Sequence, residues 1–201
     1  MSDVVVNASS SKKLGVKDYI YAGAFAAVYL IAVLAVIMVF GSIPLLYLLC
    51  PLTLGVFCGS IYFLAVLKVR KFGVALIISA LFACISTGFE PIAFGICIVT
   101  ALLAEICMLI GKYESKFWYI ISYTVFNIGT AANFFRIIYA KDAYIEGVRR
   151  MGDEYADKMS KLLAPSWIGF GIIGLAVLGG LIGGFLGTKF VKKHFEKAGV
   201  V

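Results

Sequence analysis

The chain has 201 residues, 62% of them hydrophobic and only 14% charged, with a mean hydropathy of +1.01. Soluble domains run to about 45–50% apolar and about 25% charged residues, and a fold this small could not cover its surface with so few polar groups, which excludes a soluble enzyme and a disordered chain. Eighteen Lys and Arg against eleven Asp and Glu leave a net charge of +7, a balance that points to nucleic acid or to a membrane depending on where the charges lie.

In chain order, a polar tail over 1–17 leads into an apolar stretch from Tyr19 to Phe40. Five more follow, over Pro44–Leu67, Phe72–Ser86, Ile92–Ile110, Phe117–Tyr139 and Trp167–Phe190. A membrane-crossing helix needs about 17–25 such residues, and unbroken apolarity without alternation excludes barrel strands. The sequence therefore predicts an all-α membrane protein, a six-transmembrane-helix bundle forming one domain over 18–190. The third stretch covers only about 22 Å as a helix, so it tilts little, thins the bilayer or is partly re-entrant. The first is too long for the h-region of a signal peptide and is expected to be retained. Pro51 is expected to kink the second.

The charges sort by connection. Lys12, Lys13 and Lys17 precede the first stretch; Lys68, Arg70 and Lys71 follow the second; Lys112 and Lys116 follow the fourth. Lys189, Lys192, Lys193 and Lys197 close the chain in a basic tail over 191–201. The intervening short connections, 41–43 and 87–91, contain no Lys or Arg. Short-loop bias of this kind places both termini in the cytoplasm, so the +7 reads as a topology signal and no nucleic-acid partner is expected. The remaining cations, Arg136, Lys141, Arg149, Arg150, Lys158 and Lys161, lie at the end of the fifth stretch and in one long external connection, 141–164. That connection alternates ten charges with Ile145, Val148, Met151, Tyr155, Met159 and Leu162–Leu163 at spacings of three and four, the pattern of an amphipathic helix lying over the mouth of the bundle.

Small residues concentrate in two stretches. The sixth carries Gly179, Gly183 and Gly187 with Gly180 and Gly184 alongside, and the first carries Ala22 and Ala26 beside Gly23 and Ala27. Such stripes let helix backbones approach closely, either inside the bundle or against another subunit. All five cysteines fall within apolar stretches, where they read as packing residues.

Candidate chemistry is sparse. Glu105 lies about 8 Å from the cytoplasmic end of the fourth stretch, where it reaches the interface or pairs with a neighbouring helix. Glu90 sits in the short external connection. On the fifth stretch, Thr130, Asn133 and Arg136 share the outer half, Asn127 and Thr124 continue a polar line deeper on an adjacent face, and Phe134, Phe135 and Tyr139 surround it. Ionisable groups at membrane depth are costly and mark functional sites by default. An arginine with a few donors and aromatic walls suits a small ligand, and interhelical hydrogen bonding by Asn and Thr is the competing reading. No hydrolase, nucleotide-binding or metal-ligand motif is present, and the one histidine, His194, sits in the basic tail. No enzymatic activity and no resident cofactor or metal are expected; a small membrane enzyme using Glu90 or Glu105 and a non-transporting assembly subunit stand as alternatives.

Several segments carry a resemblance: Lys17-Asp18-Tyr19-Ile20 leading into Ala22-xxx-Ala26, Lys68-Val69-Arg70-Lys71-Phe72-Gly73, Ala101-Leu102-Leu103-Ala104-Glu105, Lys141-Asp142-Ala143-Tyr144, Gly152-Asp153-Glu154-Tyr155-Ala156, the glycine run 179–187, and the tail 192–199. On these the chain resembles the Trep_Strep (MptD-like) family, linked to the S components of energy-coupling-factor (ECF) transporters. The resemblance implies a multi-pass subunit of a bacterial plasma membrane that captures a substrate at its outer face. The subunit would topple to deliver the substrate through a T component driven by two ATPases, which alone bind ATP. It implies that Ala22 and Ala26, and less directly Gly179, Gly183 and Gly187, dock the T component. It also makes the 141–164 connection a lid, with Tyr144, Arg149, Arg150 and Tyr155 its named residues, and the Thr87–Pro91 turn a gate. S components take vitamins, vitamin precursors or metal ions. The arginines suit a carboxylate or phosphate, and the absence of an external His disfavours nickel or cobalt. The expected cargo is an organic micronutrient, a class extending to a tetrapyrrole such as haem with Met, Tyr or Cys as its axial ligand.

Overall fold

The computed structural model describes residues 14–191; Lys12, Lys13, Lys192, Lys193, His194 and Lys197 lie outside the described residues. Within them the chain is helical, without a strand. Four helices are long and apolar enough to cross a membrane: α1 (Val16–Phe40), α3 (Cys50–Val69), α5 (Pro91–Ile110) and α10 (Ile168–Phe190). The short α2 (Pro44–Leu48) precedes α3, and α4 (Val74–Ser86) has 13 residues. The fifth predicted stretch is a composite rod. It consists of α6 (Lys116–Ile128), a 3-10 segment (Gly129–Phe135) and the single turn α7 (Arg136–Tyr139).

The helix starts follow from local chemistry. Pro44, Pro51 and Pro91 occupy the first turns of α2, α3 and α5, where a missing N–H costs nothing because it would have no intrahelical partner. The expected kink at Pro51 is therefore a helix break: the second stretch divides at Leu49, and Pro51 sits in the first turn of the long piece, which Cys50 begins. Asp18 accepts the Gly15 N–H at 2.8 Å and caps α1, while its ion pair with Lys71, also 2.8 Å, ties that cap to the α3–α4 connection. Glu105 takes on a task that its position in α5 did not suggest. It is 1% exposed, and its Oε1 accepts the Ala75 N–H at 2.6 Å, so it caps the start of α4 from a neighbouring helix.

Successive long segments run antiparallel, so the two ends of the bundle differ. At one end Leu67, Arg70, Tyr113, Lys116, Tyr119 and Thr188 surround a common hollow. At the other, the 141–164 connection packs against the α1–α2 connection, where Tyr155 OH donates to Gly41 O.

The tightest packing joins α3 to α10, glycine against glycine. A Cβ built on Gly183 would lie 1.8 Å from the Gly55 carbonyl oxygen, and one on Gly55 would lie 2.4 Å from the Gly179 carbonyl carbon. Gly180 meets Thr124 of α6, and Gly187 meets the Phe63 ring. The stripe of Gly179, Gly183 and Gly187 is thus buried in the bundle interior, which corrects the expectation that it docks another subunit: its close approach is already used by α3. The α6 side of this seam is polar. Asn127 donates to the carbonyls of Pro51 (3.0 Å) and Ala176 (2.7 Å), and Tyr123 donates to Gly55 O at 2.7 Å. Tyr62 donates to Ser122 Oγ, 2.7 Å away, because Ser122 itself donates to Ala104 O at 2.8 Å.

α1 lies at the side, against α3 and α4. Its buried residues are Ala22, Ala26, Tyr29, Leu30 and Val33, and Tyr29 reaches inward to meet Phe82 and Phe126 edge-on. Ala22 and Ala26 are 0% exposed. The expectation that these two alanines form an external docking face is therefore corrected: small side chains at a 22/26 spacing bring α1 close to its own bundle.

Candidate functional site

The 141–164 connection folds as a helical hairpin, α8 (Lys141–Val148) and α9 (Asp153–Leu162), joined by a short 3-10 turn and by Gly152 at φ +116°. One amphipathic helix is thus replaced by two, because the left-handed glycine ends the first. Tyr144, Val148, Met159 and Leu163 turn inward onto Leu48, Phe134, Ile137 and Ile172, giving the lid its own small core. Lys141 Nζ donates to the Leu163 carbonyl and holds the two ends of the hairpin together. Tyr155 OH donates to Gly41 O at 2.9 Å, pinning the lid to the α1–α2 connection, and burial pushes its phenol up to about 12, so it remains a donor. Tyr155→Phe is expected to cost about 1 kcal/mol of lid closure, measured as faster amide hydrogen exchange across 141–164 with the rest of the bundle unchanged.

Beneath the lid lies a cavity of about 860 Å³, bordered by Tyr47, Ile85, Ser86, Thr87, Gly88, Asn133, Arg136 and the lid residues Tyr144, Glu146, Arg149 and Arg150. Its volume falls within the range of small-molecule sites. Ser86–Gly88 belong to the end of α4 and the turn after it, where Gly88 and Phe89 adopt left-handed backbone. A second, narrower chamber of about 200 Å³ continues below it, walled by Leu30, Val33, Leu34, Ile37, Leu54, Phe82, Thr130 and Phe134. Tyr47, Ile85, Ser86 and Asn133 line both and mark the neck where the two spaces adjoin.

The 3-10 segment positions the polar side of this cavity. An α-helix turns 100° per residue, so residues three apart drift around it; at three residues per turn they stack in one row. Thr130, Asn133 and Arg136 are so spaced, and the 3-10 winding aligns them from the lower chamber through the neck to the upper cavity. Two contacts support this winding. Gly129 lies where a Cβ would come within 2.6 Å of Thr100 Oγ1, letting α5 press against the rod. Thr130 Oγ1 donates to Asn127 O at 2.7 Å. The three-residue spacing was legible in the sequence; the change of helix type that makes it a straight row was not.

The remaining expected site residues separate from this row. Asn127 is 0% exposed and spends its amide on α3 and α10, so it is a packing residue and not part of the cavity wall. Glu90 accepts the Ala93 N–H at 2.6 Å as the cap of α5 and lies 3.4 Å from Tyr139 OH; the two form an outer pair beside the cavity. Tyr155 clamps the lid without lining the space below it. Thr87, from the turn expected to act as a gate, borders the cavity; Tyr47 and Ser86 border it without having been singled out, since a lone hydroxyl in an apolar run carries no periodic signal.

The electrostatics are one-sided. Arg149 is held by Glu146 (3.2 Å) and Asp153 (2.9 Å) on the exposed rim. Half-buried Arg136 and exposed Arg150 have no ion-pair partner among the described residues. The Tyr144 hydroxyl and Ser86 Oγ are buried without a hydrogen-bond partner. Burial holds the Tyr144 phenol well above its usual range, Tyr47, Tyr155 and Cys50 push it the same way and Arg136 only opposes them, so it stays protonated. Unsatisfied buried polar atoms are uncommon in native folds; here two of them border one cavity next to an unpaired guanidinium. No cluster of His, Cys, Asp and Glu able to hold a metal ion occurs among the described residues.

Fold and cavity together define a multi-helix integral membrane protein with a ligand-sized cavity beside the α8–α9 hairpin. The chain belongs to the Trep_Strep family of hypothetical bacterial integral membrane proteins, whose match extends over residues 16–197. Comparison with curated proteins finds no match, and comparison with solved structures finds none.

Proposed function

We propose that this protein is the substrate-capturing S component of an ECF-type importer in the bacterial plasma membrane. The observation that carries this reading is the cavity of about 860 Å³ bordered by α8, the turn after it and the α4–α5 connection: a space of ligand size, at one end of a membrane bundle, walled by binding groups. In this reading the bundle has six spans. α4 contributes about 20 Å, and the composite rod, at about 1.5 Å per α-helical and about 2.0 Å per 3-10 residue, contributes about 40 Å. The end carrying Lys17, Lys68, Arg70, Lys71, Lys112, Lys116 and Lys189 is cytoplasmic, and the lid faces out. The cargo is a small organic micronutrient, and ATP is bound only by the two partner ATPases behind a T component.

Docking then falls on the outward face of α1, where Ala24 and Ala27 are exposed and a Cβ on Gly23 would meet nothing within 4 Å. The test is co-purification. The tagged protein, expressed with its host's T component and ATPases, is expected to elute as a four-subunit complex. Ala27→Trp is expected to elute alone yet still carry the small molecule seen by native mass spectrometry. Self-sufficient, proton-driven uptake in liposomes containing this protein alone would sink the proposal.

A further inference from the structure

The two joined chambers are unlike each other, and the difference limits what can occupy them. The upper one has three arginines and one glutamate on its wall; Glu146 is already engaged by Arg149, which leaves Arg136 and Arg150 as uncompensated positive charge. Arg136 stands at the top of the 3-10 row, where it joins Asn133 at the neck, and near it lie the two buried hydroxyls, Tyr144 and Ser86, that lack partners. A half-buried guanidinium and two idle donors are a costly arrangement when empty. All three are satisfied at once by an acceptor carrying negative charge. The lower chamber has no ionisable side chain other than the neck phenol and the Cys50 thiol, and below the neck its walls are aliphatic and aromatic apart from Thr130 and Cys50. Its volume of about 200 Å³ is slightly more than the cavity of about 150 Å³ that accepts a benzene ring.

We infer that the ligand is an amphipathic organic anion: a carboxylate or phosphate held in the upper chamber by Arg136, Tyr144 and Ser86, and an apolar tail no larger than about one ring threaded past Tyr47 and Asn133 into the lower chamber. A four-ring tetrapyrrole core is too large for that tail position. The inference rests on the captured-substrate reading of the cavity. It is nevertheless tested on the isolated subunit, so the two can fail separately.

The probes are 3-phenylpropanoate, its neutral amide 3-phenylpropanamide, and acetate, titrated against the purified full-length protein in detergent by calorimetry. The acid is expected to bind about tenfold or more tightly than the amide, the worth of one charge-assisted hydrogen bond. Arg136→Gln should erase that difference, and Arg136→Lys should restore part of it. Tyr144→Phe is the control for folding. It removes a hydroxyl that has no protein partner, so the empty variant should melt at or above the wild-type temperature while the acid binds about fivefold more weakly. Val33→Phe places a ring in the lower chamber and should reduce 3-phenylpropanoate to the affinity of acetate. Equal binding of acid and amide, no binding of either acid, or an Arg136→Gln variant that keeps its acid selectivity would each overturn the inference. A protein that selects the acid but never assembles with a T component would remove the transporter reading and leave this one standing. A protein that assembles but prefers the amide would do the reverse.

Discussion

Gly183→Ala is expected to disassemble the bundle, losing about 3 kcal/mol or more of stability, the upper end of the cost of overpacking a core. The added methyl would lie 1.8 Å from the Gly55 carbonyl oxygen. Neither side of that contact can rotate away, since each is backbone inside a long helix. Relief requires α3 and α10 to separate along their length, which would also pull Asn127 off the carbonyls of Pro51 and Ala176 and Tyr123 off Gly55. Gly174→Ala on the same helix is the matched control: its Cβ meets nothing within 4 Å, so the variant should be neutral or gain up to about 1 kcal/mol from helix propensity. Thermal unfolding in detergent, followed by tryptophan fluorescence, reads both. A Gly183→Ala protein that melts with the wild type would mean that α3 and α10 are not in contact there.

The second large effect is expected at Glu105. Removing its carboxyl leaves the start of α4 without the acceptor that binds the Ala75 N–H. An unsatisfied buried donor costs about 1–3 kcal/mol, and Glu105→Ala adds a void at a position 1% exposed; together these give about 3 kcal/mol. Glu105→Gln keeps an acceptor oxygen at the same reach and should lose less than half as much. The contrast between the two, measured as the melting temperature of the ligand-free protein, separates a cap from a functional acid. A carboxyl needed for proton chemistry would fail equally in both variants and leave stability unchanged.

These two residues also mark where sequence reasoning stops. The apolar stretches behind α1, α3, α5 and α10 were legible because hydrophobic length is a one-dimensional property. The glycine repeat at 179, 183 and 187 was legible as a close-approach stripe, but its partner was not, since Gly55 and Gly59 lie in a different helix and only the fold shows them facing it. The same limit misassigned Ala22 and Ala26, because a small-residue pair records that a backbone comes near without recording whose. On the polar rod, Thr130, Asn133 and Arg136 were found by composition. Asn127 reads in the sequence as a deeper continuation of that line on an adjacent face, and only the fold shows its amide spent on the carbonyls of Pro51 and Ala176. The cavity wall contributed by Tyr47 and Ser86, and the division of the second stretch at Leu49, depend on where helices stop, which is set by neighbours distant in the chain.

The glycine seam between α3 and α10 has a consequence for how the chain is made. α3 is synthesised early and α10 last among the described elements, so through most of translation Gly55 and Gly59 have no partner, and one of the two acceptors of the Asn127 amide, Ala176, does not yet exist. The rods made before α10 can pack α1 on α3 and α5 on α6, but the backbone contact between α3 and α10 requires the final span. The mature arrangement is therefore committed at the end of biosynthesis, and a chain interrupted before α10 should remain open to quality-control proteolysis however complete its earlier helices are.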